Sequence, residues 1–254
     1  MKLKIALKNI ITAVILIGVG TVTYAKPLVW ATEATYPPFE STNAQGKIVG
    51  MDIDIANAIC QQMKTTCQFV NAPWDSLIPS LKLGKFDIIF GGMNITPARA
   101  KQVSFTQAYY TAPAEVVAAK GAKLSLSQSG LKGKTIGTQK GNTFQFYLQH
   151  TYGSSIDIKT YASVQQAFID LKNGRLDAVM SDQPTVQHWL EENNHKQHYQ
   201  VVGNPIHDKQ YFGAGYGIAV KKGNTVLLNK LNKAIAALKQ NGKLSAIINK
   251  YMKQ

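Results

Sequence analysis

Cysteine is almost missing from this chain. Cys60 and Cys67 are the only two, and histidine occurs five times. Acidic residues are also scarce: 14 Asp and Glu stand against 28 Lys and Arg, for a net charge of +14. A basic balance raises nucleic acid as a partner. The lysines are scattered rather than clustered, however, which fits a basic exported protein and no nucleic-acid contact. Catalytic signatures are missing too. There is no G-x-S-x-G and no H-E-x-x-H. Gly133-Lys134-Thr135 resembles the end of a phosphate-binding loop, but the upstream glycine that loop requires is Gln128. His195 and His198 sit in "ENNHKQH", the composition of a solvated loop rather than of metal ligands. Sequence repeats of the solenoid kind and low-complexity tracts are lacking. After the first 25 residues, no apolar run is long enough to span a membrane.

Those first 25 residues read as a secretory signal peptide. Lys2, Lys4 and Lys8 form a basic start, 10–19 is an apolar run, and Thr23-Tyr24-Ala25 offers a small-x-small cleavage site. The apolar run is shorter than the roughly 20 residues a membrane helix needs. No cysteine follows it to accept a lipid. Export leads to an oxidising compartment, so a Cys60–Cys67 disulfide is the default. A loop this short should contribute about 2–3 kcal/mol. A metal site built on the two cysteines would lack a nearby histidine. No metal and no cofactor are expected.

The rest of the chain alternates strands and helices. The patterns predict strands over 28–31, 68–70, 86–90, 135–137, 156–161, 176–180 and 217–220. Helices are predicted over 52–63, from Asp75 through Leu77, Ile78, Leu81 and Leu83 to the stop at Gly84, and over 143–149, 163–172, 184–192, 225–239 and 243–252. Tyr36-Pro37-Pro38-Phe39 must be a turn, since proline breaks ladders and helices alike. Alternation of this kind indicates parallel α/β units. Two stretches look alike, "LKLGKFDIIFGGMNIT" from Leu81 and "LKNGRLDAVMSDQPTV" from Leu171. Each is a helix end, a glycine stop, a basic residue, a buried strand with an aspartate, then a polar loop. One such unit is expected in each of two similar lobes.

Ligands of α/β sheets bind beyond the carboxyl ends of the strands, and "GGMNITPAR" over 91–99 is such an end. Gly91 and Gly92 permit close approach of backbone to ligand. Thr96-Pro97 is a helix cap with proline at the first helical position. Arg99 then offers a two-pronged donor for a carboxylate. A second helix start at Asn142-Thr143 adds backbone donors, and Asp182 could take an ammonium. Together these make a clamp for an α-amino acid, although surface salt bridging would explain each residue taken singly. Glu33, Asp54, Asp87, Asp177 and Asp182 all lie near strand ends or helix starts, which leaves paired-carboxylate acid–base chemistry open.

At this level of detail the chain resembles the periplasmic solute-binding proteins of polar amino acid ABC transporters, and most closely their arginine, or lysine/arginine/ornithine, binding branch. The resemblance spans nearly all of 26–254. It rests on "ATYPPFE", "GMDIDIANAIC", "WDSLIPSLKLGKFDII", "MNITPAR", "FTQAYY" and "GRLDAVMSD". It implies an α/β, two-lobed periplasmic binding protein fold. Each lobe would be a central β-sheet flanked by helices, with two crossover segments and a ligand cleft between the lobes. Lobe 1 would take 27–112 and 207–254, and lobe 2 would take 113–206. By resemblance, Arg99 holds the ligand carboxylate with the backbone N–H groups of Asn94 and Thr143. Asp182 takes the α-ammonium with the carbonyl of Gly92. Glu33 faces the distal cation with Gln139 nearby, and Tyr36 and Trp74 sandwich the ligand side chain. The cysteine pair matches a disulfide of this branch.

Departures from the branch bear on selectivity. Aspartate is common where this chain has Glu33, and serines are common at Gly91, Gly92 and Asn94. Phe144 replaces a polar residue of some relatives. The "GM-x-ITP" form resembles arginine-selective members, and stacking on Tyr36 and Trp74 favours a planar guanidinium over a compact ammonium. The function implied is capture of L-arginine, with lysine or ornithine as further ligands, in the periplasm, and delivery to an inner-membrane ABC permease by a monomer that does no chemistry. Two alternatives stay open. One is a binder of another polar amino acid, such as histidine or glutamine. The other is a cyclohexadienyl dehydratase-like hydro-lyase on the same fold, with Glu33 as its general acid.

Overall fold

A computed structural model describes residues 26–252. The expected leader over 1–25 lies outside the described residues. Two five-stranded sheets organise the chain. The first has the order Cys67–Asn71, Leu28–Thr32, Ile88–Ile89, Ala219–Lys221, Val103–Phe105. The second has the order Asp157–Tyr161, Thr135–Gln139, Ala178–Asp182, Ala114–Ala119, Tyr199–Val201. A small three-stranded sheet, Thr35–Tyr36, Glu40–Thr42 and Ile48–Val49, leads into the helix Met51–Gln62. Among the described residues, no helix is long and apolar enough to cross a membrane.

The parallel α/β units expected from alternation are present, and each sheet also includes one antiparallel strand. In each, four strands run the same way and one runs against them, Ala219–Lys221 in the first sheet and Ala114–Ala119 in the second. Each reversed strand is the first one after the chain crosses from the other sheet. Val103–Phe105 ends at the outward crossover over 106–113. Ala219–Lys221 begins after the return over 202–218. The crossovers bond to each other: Ala114 and Ile206 exchange two backbone bonds, and Tyr216 N–H donates to Tyr110 O.

The two look-alike stretches occupy equivalent places. Ile88–Ile89 and Ala178–Asp182 are the middle strands of their sheets. Their aspartates also do the same work. Asp87 accepts from Val29 N–H at 2.9 Å, and Asp177 accepts from Thr135 N–H at 2.8 Å. Each carboxylate thus pins the first parallel strand of its lobe to the third, a structural role rather than an acid–base one.

Other elements differ in detail. The helix Trp74–Lys82 buries Leu77 and Leu81, but Leu83 falls past its end and is 74% exposed. Ala114–Ala119 escapes the pattern reading because alanine is a weak strand former and Glu115 interrupts it. Glu115 is nonetheless buried, and it accepts hydrogen bonds from Gln183 and Gln187 at 2.7 Å each. His195 is not a solvated loop residue. Its ring stacks on Trp189 at 4.4 Å, and its Nδ1 lies 2.8 Å from Trp189 O.

Cys60, in the last turn of Met51–Gln62, is bonded to Cys67, the first residue of the edge strand, with Cα atoms 6.0 Å apart. The link ties a helix end to a strand that has a partner on one side only. Non-reduced protein from an oxidising compartment should therefore be two hydrogens lighter than the dithiol by mass spectrometry. Denaturant melts should lose about 2–3 kcal/mol on reduction. An unchanged midpoint would show that packing alone holds this corner.

Candidate functional site

Four parallel strands end at one cleft. Leu28–Thr32 delivers Glu33, Ile88–Ile89 delivers Gly91-Gly92, Thr135–Gln139 ends on Gln139, and Ala178–Asp182 ends on Asp182. The first two belong to one sheet and the last two to the other. The cleft thus has one wall from each lobe, as carboxyl-end binding requires. The cavity between the walls measures about 20 Å³. Its lining contains Glu33, Tyr36, Trp74, Gly92, Asn94, Arg99, Gln139 and Asp182, joined by Glu40, Gly91, Asn142 and Phe144.

Of the residues proposed from sequence, only Thr143 stays out of the lining. It opens the helix Thr143–Tyr152, and its hydroxyl donates to Asn94 Oδ1 at 3.1 Å across the lobes. Asn142 caps that helix by accepting from Gln145 N–H at 2.9 Å.

Arg99 is placed by a short local device. Thr96 Oγ1 accepts from Arg99 N–H at 3.3 Å and starts the turn Pro97–Ala100. The guanidinium is buried and donates to Asn94 O at 3.1 Å and Gly141 O at 3.4 Å. It lies 5.2 Å from the Trp74 ring centroid. Trp74, expected as a platform for a ligand side chain, here faces this arginine. Burial lowers the Arg99 guanidinium to about 10, against the support of Asp182.

The carboxylates are held by neutral donors. Asp182 accepts from the hydroxyls of Tyr36 and Tyr216. Tyr36 also meets Ser181 Oγ at 2.9 Å. Burial pushes Asp182 up to about 6, while the two tyrosines and Arg99 pull the other way. Glu33 accepts from Thr35 Oγ1 at 2.6 Å and from Gln139 Nε2 of the opposite lobe. Burial raises it above the usual carboxylate range. Of the other carboxylates weighed from sequence, Asp54 pairs with Lys250 at 2.8 Å near the C-terminal helix, away from the cleft.

Gly92 has φ +52, a left-handed conformation that favours glycine, and a Cβ there would meet the Tyr36 ring at 3.5 Å. Its N–H donates to Asp52 Oδ2 at 2.9 Å, an oxygen that Tyr109 also reaches at 2.6 Å. A Cβ on Gly91 would come within 2.4 Å of Thr32 Oγ1. Sequence reasoning missed Glu40, Asp52, Tyr109 and Tyr216. Asp52 reads as an ordinary helix start, and Glu40 follows a turn where an exposed glutamate is unremarked; nothing local marks either as buried.

Two α/β lobes closed over a polar cleft, with cation and carboxylates on facing walls, define a binder of a small zwitterionic solute. The chain belongs to the bacterial extracellular solute-binding proteins, family 3, whose model matches residues 28–254. It is 46% identical over 230 residues to the ABC transporter arginine-binding protein 1 of Escherichia coli (strain K12), covering 91% of this chain and 92% of that one. It is 40% identical to the L-arginine-binding protein of Pseudomonas aeruginosa, covering 89% and 88%. Among solved structures, a periplasmic binding protein of Salmonella typhimurium, described for its high arginine specificity, superposes with a TM-score of 0.83 at 42% identity. That match covers 89% of this chain and 99% of the other. These relatives are binding proteins, not enzymes.

Proposed function

We propose that this protein captures L-arginine, with lysine or ornithine as weaker ligands, in the periplasm and hands it to an inner-membrane ABC permease. The observation that carries this reading is the charge layout of the cleft. Arg99 and Asp182 are electrostatically coupled at one end. A third charged group, Glu33, lines the same cavity from the end of a different strand. A carboxylate, an ammonium and a distal cation would find a partner each. Arg99 takes the carboxylate with backbone N–H groups of Asn94 and Thr143. Asp182 takes the ammonium with the Gly92 carbonyl. Glu33 and Gln139 take the guanidinium, with Tyr36 along the ligand side chain and Trp74 nearer Arg99. The names of the relatives support the same ligand.

The lobes divide at 112/113 and 206/207 in this reading. The short helix Lys209–Phe212 reaches across, with Phe212 packed 5.4 Å from Phe144. Admission of a ligand requires the walls to part, because Glu33–Gln139, Tyr36–Asp182 and Asn94–Thr143 now bond across the cleft. The ligand would replace these contacts, and its binding energy would drive reclosure on a shape the permease recognises.

No chemistry is done on the ligand, and the protein works as a monomer. A calorimetric titration of mature protein against the common amino acids, ornithine and citrulline tests the reading. Arginine should bind most tightly, and histidine or glutamine as best ligand would overturn it. Incubation with arogenate should yield no phenylalanine; its appearance would establish the hydro-lyase instead.

A further inference from the structure

Beneath the Gly91-Gly92 turn lies a pair of carboxyl groups that the arginine reading leaves without a task. Glu40, 2% exposed, lines the cavity, and among the described residues its Oε2 has no hydrogen-bond partner. Asp52 is fully buried; Oδ2 is taken by Gly92 N–H and Tyr109, and among the described residues Oδ1 has no partner. A Cβ on Gly91 would come within 2.9 Å of Glu40 Oε1, so the glutamate sits directly under the turn. Among the described residues, neither carboxyl forms an ion pair with a lysine, arginine or histidine.

Two neighbouring buried carboxyls without a cation cannot both be ionised, and such a pair keeps a proton. We propose that the Glu40–Asp52 pair holds a proton that a cationic side chain entering the cleft displaces, making Glu40 a determinant of selectivity for cationic over neutral amino acids. The groups around it fix the direction. Burial, then Asp52, then Glu33 and Asp182 hold the Glu40 carboxyl well above its ordinary range. Burial pushes Asp52 up to about 7, against the donors Tyr109 and Gly92. Arg99 and Tyr36, from other elements, line the same cavity.

An amino acid with a cationic side chain brings a net positive charge and neutralises Glu33 and Asp182. Two of the influences that keep Glu40 protonated then vanish. The O–H bond breaks, the proton passes to solvent, and the carboxylate left behind stabilises the bound cation. A neutral side chain leaves Glu33 charged and the proton in place. Affinity for arginine therefore rises with pH, about threefold per pH unit if half a proton is released.

This inference rests on the arginine reading, and one experiment separates the two. Mature protein is titrated with arginine and with citrulline near pH 7, in buffers of low and high ionisation heat. The dependence of heat on buffer counts the protons released. Arginine should release a measurable fraction of a proton and citrulline close to none. In Glu40→Gln the arginine release should fall to near zero, and the pH dependence of its Kd should flatten. Should that variant not fold, carbon-13 NMR of the assigned Glu40 carboxyl in the unaltered chain gives the same answer: its signal should move to the ionised position with arginine and stay with citrulline. Equal release for both ligands, proton uptake, a stationary Glu40 signal, or full release in folded Glu40→Gln overturns the inference, and release that persists in that variant points to Glu33 or Asp182 as its source. Arginine heat without proton release leaves the arginine reading intact. Absence of heat with arginine, lysine and ornithine overturns both.

Discussion

Arg99→Ala is expected to lower arginine affinity by about 2–5 kcal/mol, the range for removing one partner of a buried charged pair. Among the described residues, the guanidinium is the only cation in the cavity lining. It is held by Asn94 O, Gly141 O and the Trp74 ring, so its prongs are aimed before the ligand arrives. Without it, the ligand carboxylate would enter a buried site facing Asp182 with no compensating charge. Asp182 would itself lose a stabilising neighbour, so its carboxyl should rise further above 6. Arg99→Lys should recover only part of the loss, because an ammonium cannot make two parallel bonds. Titration calorimetry reads the affinities, and a thermal melt confirms that each variant is folded. Near-unchanged binding in folded Arg99→Ala would place the carboxylate elsewhere.

This arginine was legible in the sequence because its surroundings are local. A strand, two glycines, a Thr-Pro cap and one basic residue follow one another within a few positions, and each has a known geometry. Asp182 was legible for the same reason, at the end of a buried strand, whereas Gln139 came only from the family resemblance, because the strand predicted over 135–137 stops short of it. The buried pair beneath the turn was not. Glu40 and Asp52 come from different elements, and only the tertiary fold places both under Gly91. Tyr216 is also invisible locally: it lies in the return crossover, yet its hydroxyl reaches Asp182, 34 positions away. The same limit governs the sheets. Periodicity finds a strand, but the antiparallel place of Ala114–Ala119 follows from where the crossover delivers it. The aspartates of the look-alike stretches carry a related lesson. Asp87 and Asp177 suggested acid–base chemistry by their position, but each gives one oxygen to a backbone N–H, and the other oxygen of Asp177 pairs with Lys134.

Glu33→Gln is expected to cost arginine about 2–4 kcal/mol, the penalty for leaving a largely buried cation short of its charged partner. The substitution keeps the shape. Glu33 is 8% exposed, and its two oxygens are already directed by Thr35 and Gln139, so the replacement amide would sit in the same place. Citrulline, neutral and similar in shape to arginine, should lose much less, and the preference for arginine over citrulline should narrow. Trp74→Leu is a poor probe of this end, because the Trp74 ring lies against Arg99 and its loss would weaken every amino acid. Gln139→Leu is the better companion. It removes the bond that Gln139 makes to Glu33 across the lobes but leaves the charge, so it should weaken arginine and citrulline more evenly. An equal loss for the two ligands in Glu33→Gln, matching the pattern of Gln139→Leu, would mean that Glu33 holds the lobes together through Gln139. The charge at the ligand's far end would then be read by another group, and Glu40, the remaining carboxyl in the cavity lining besides Asp182, would be the one to examine.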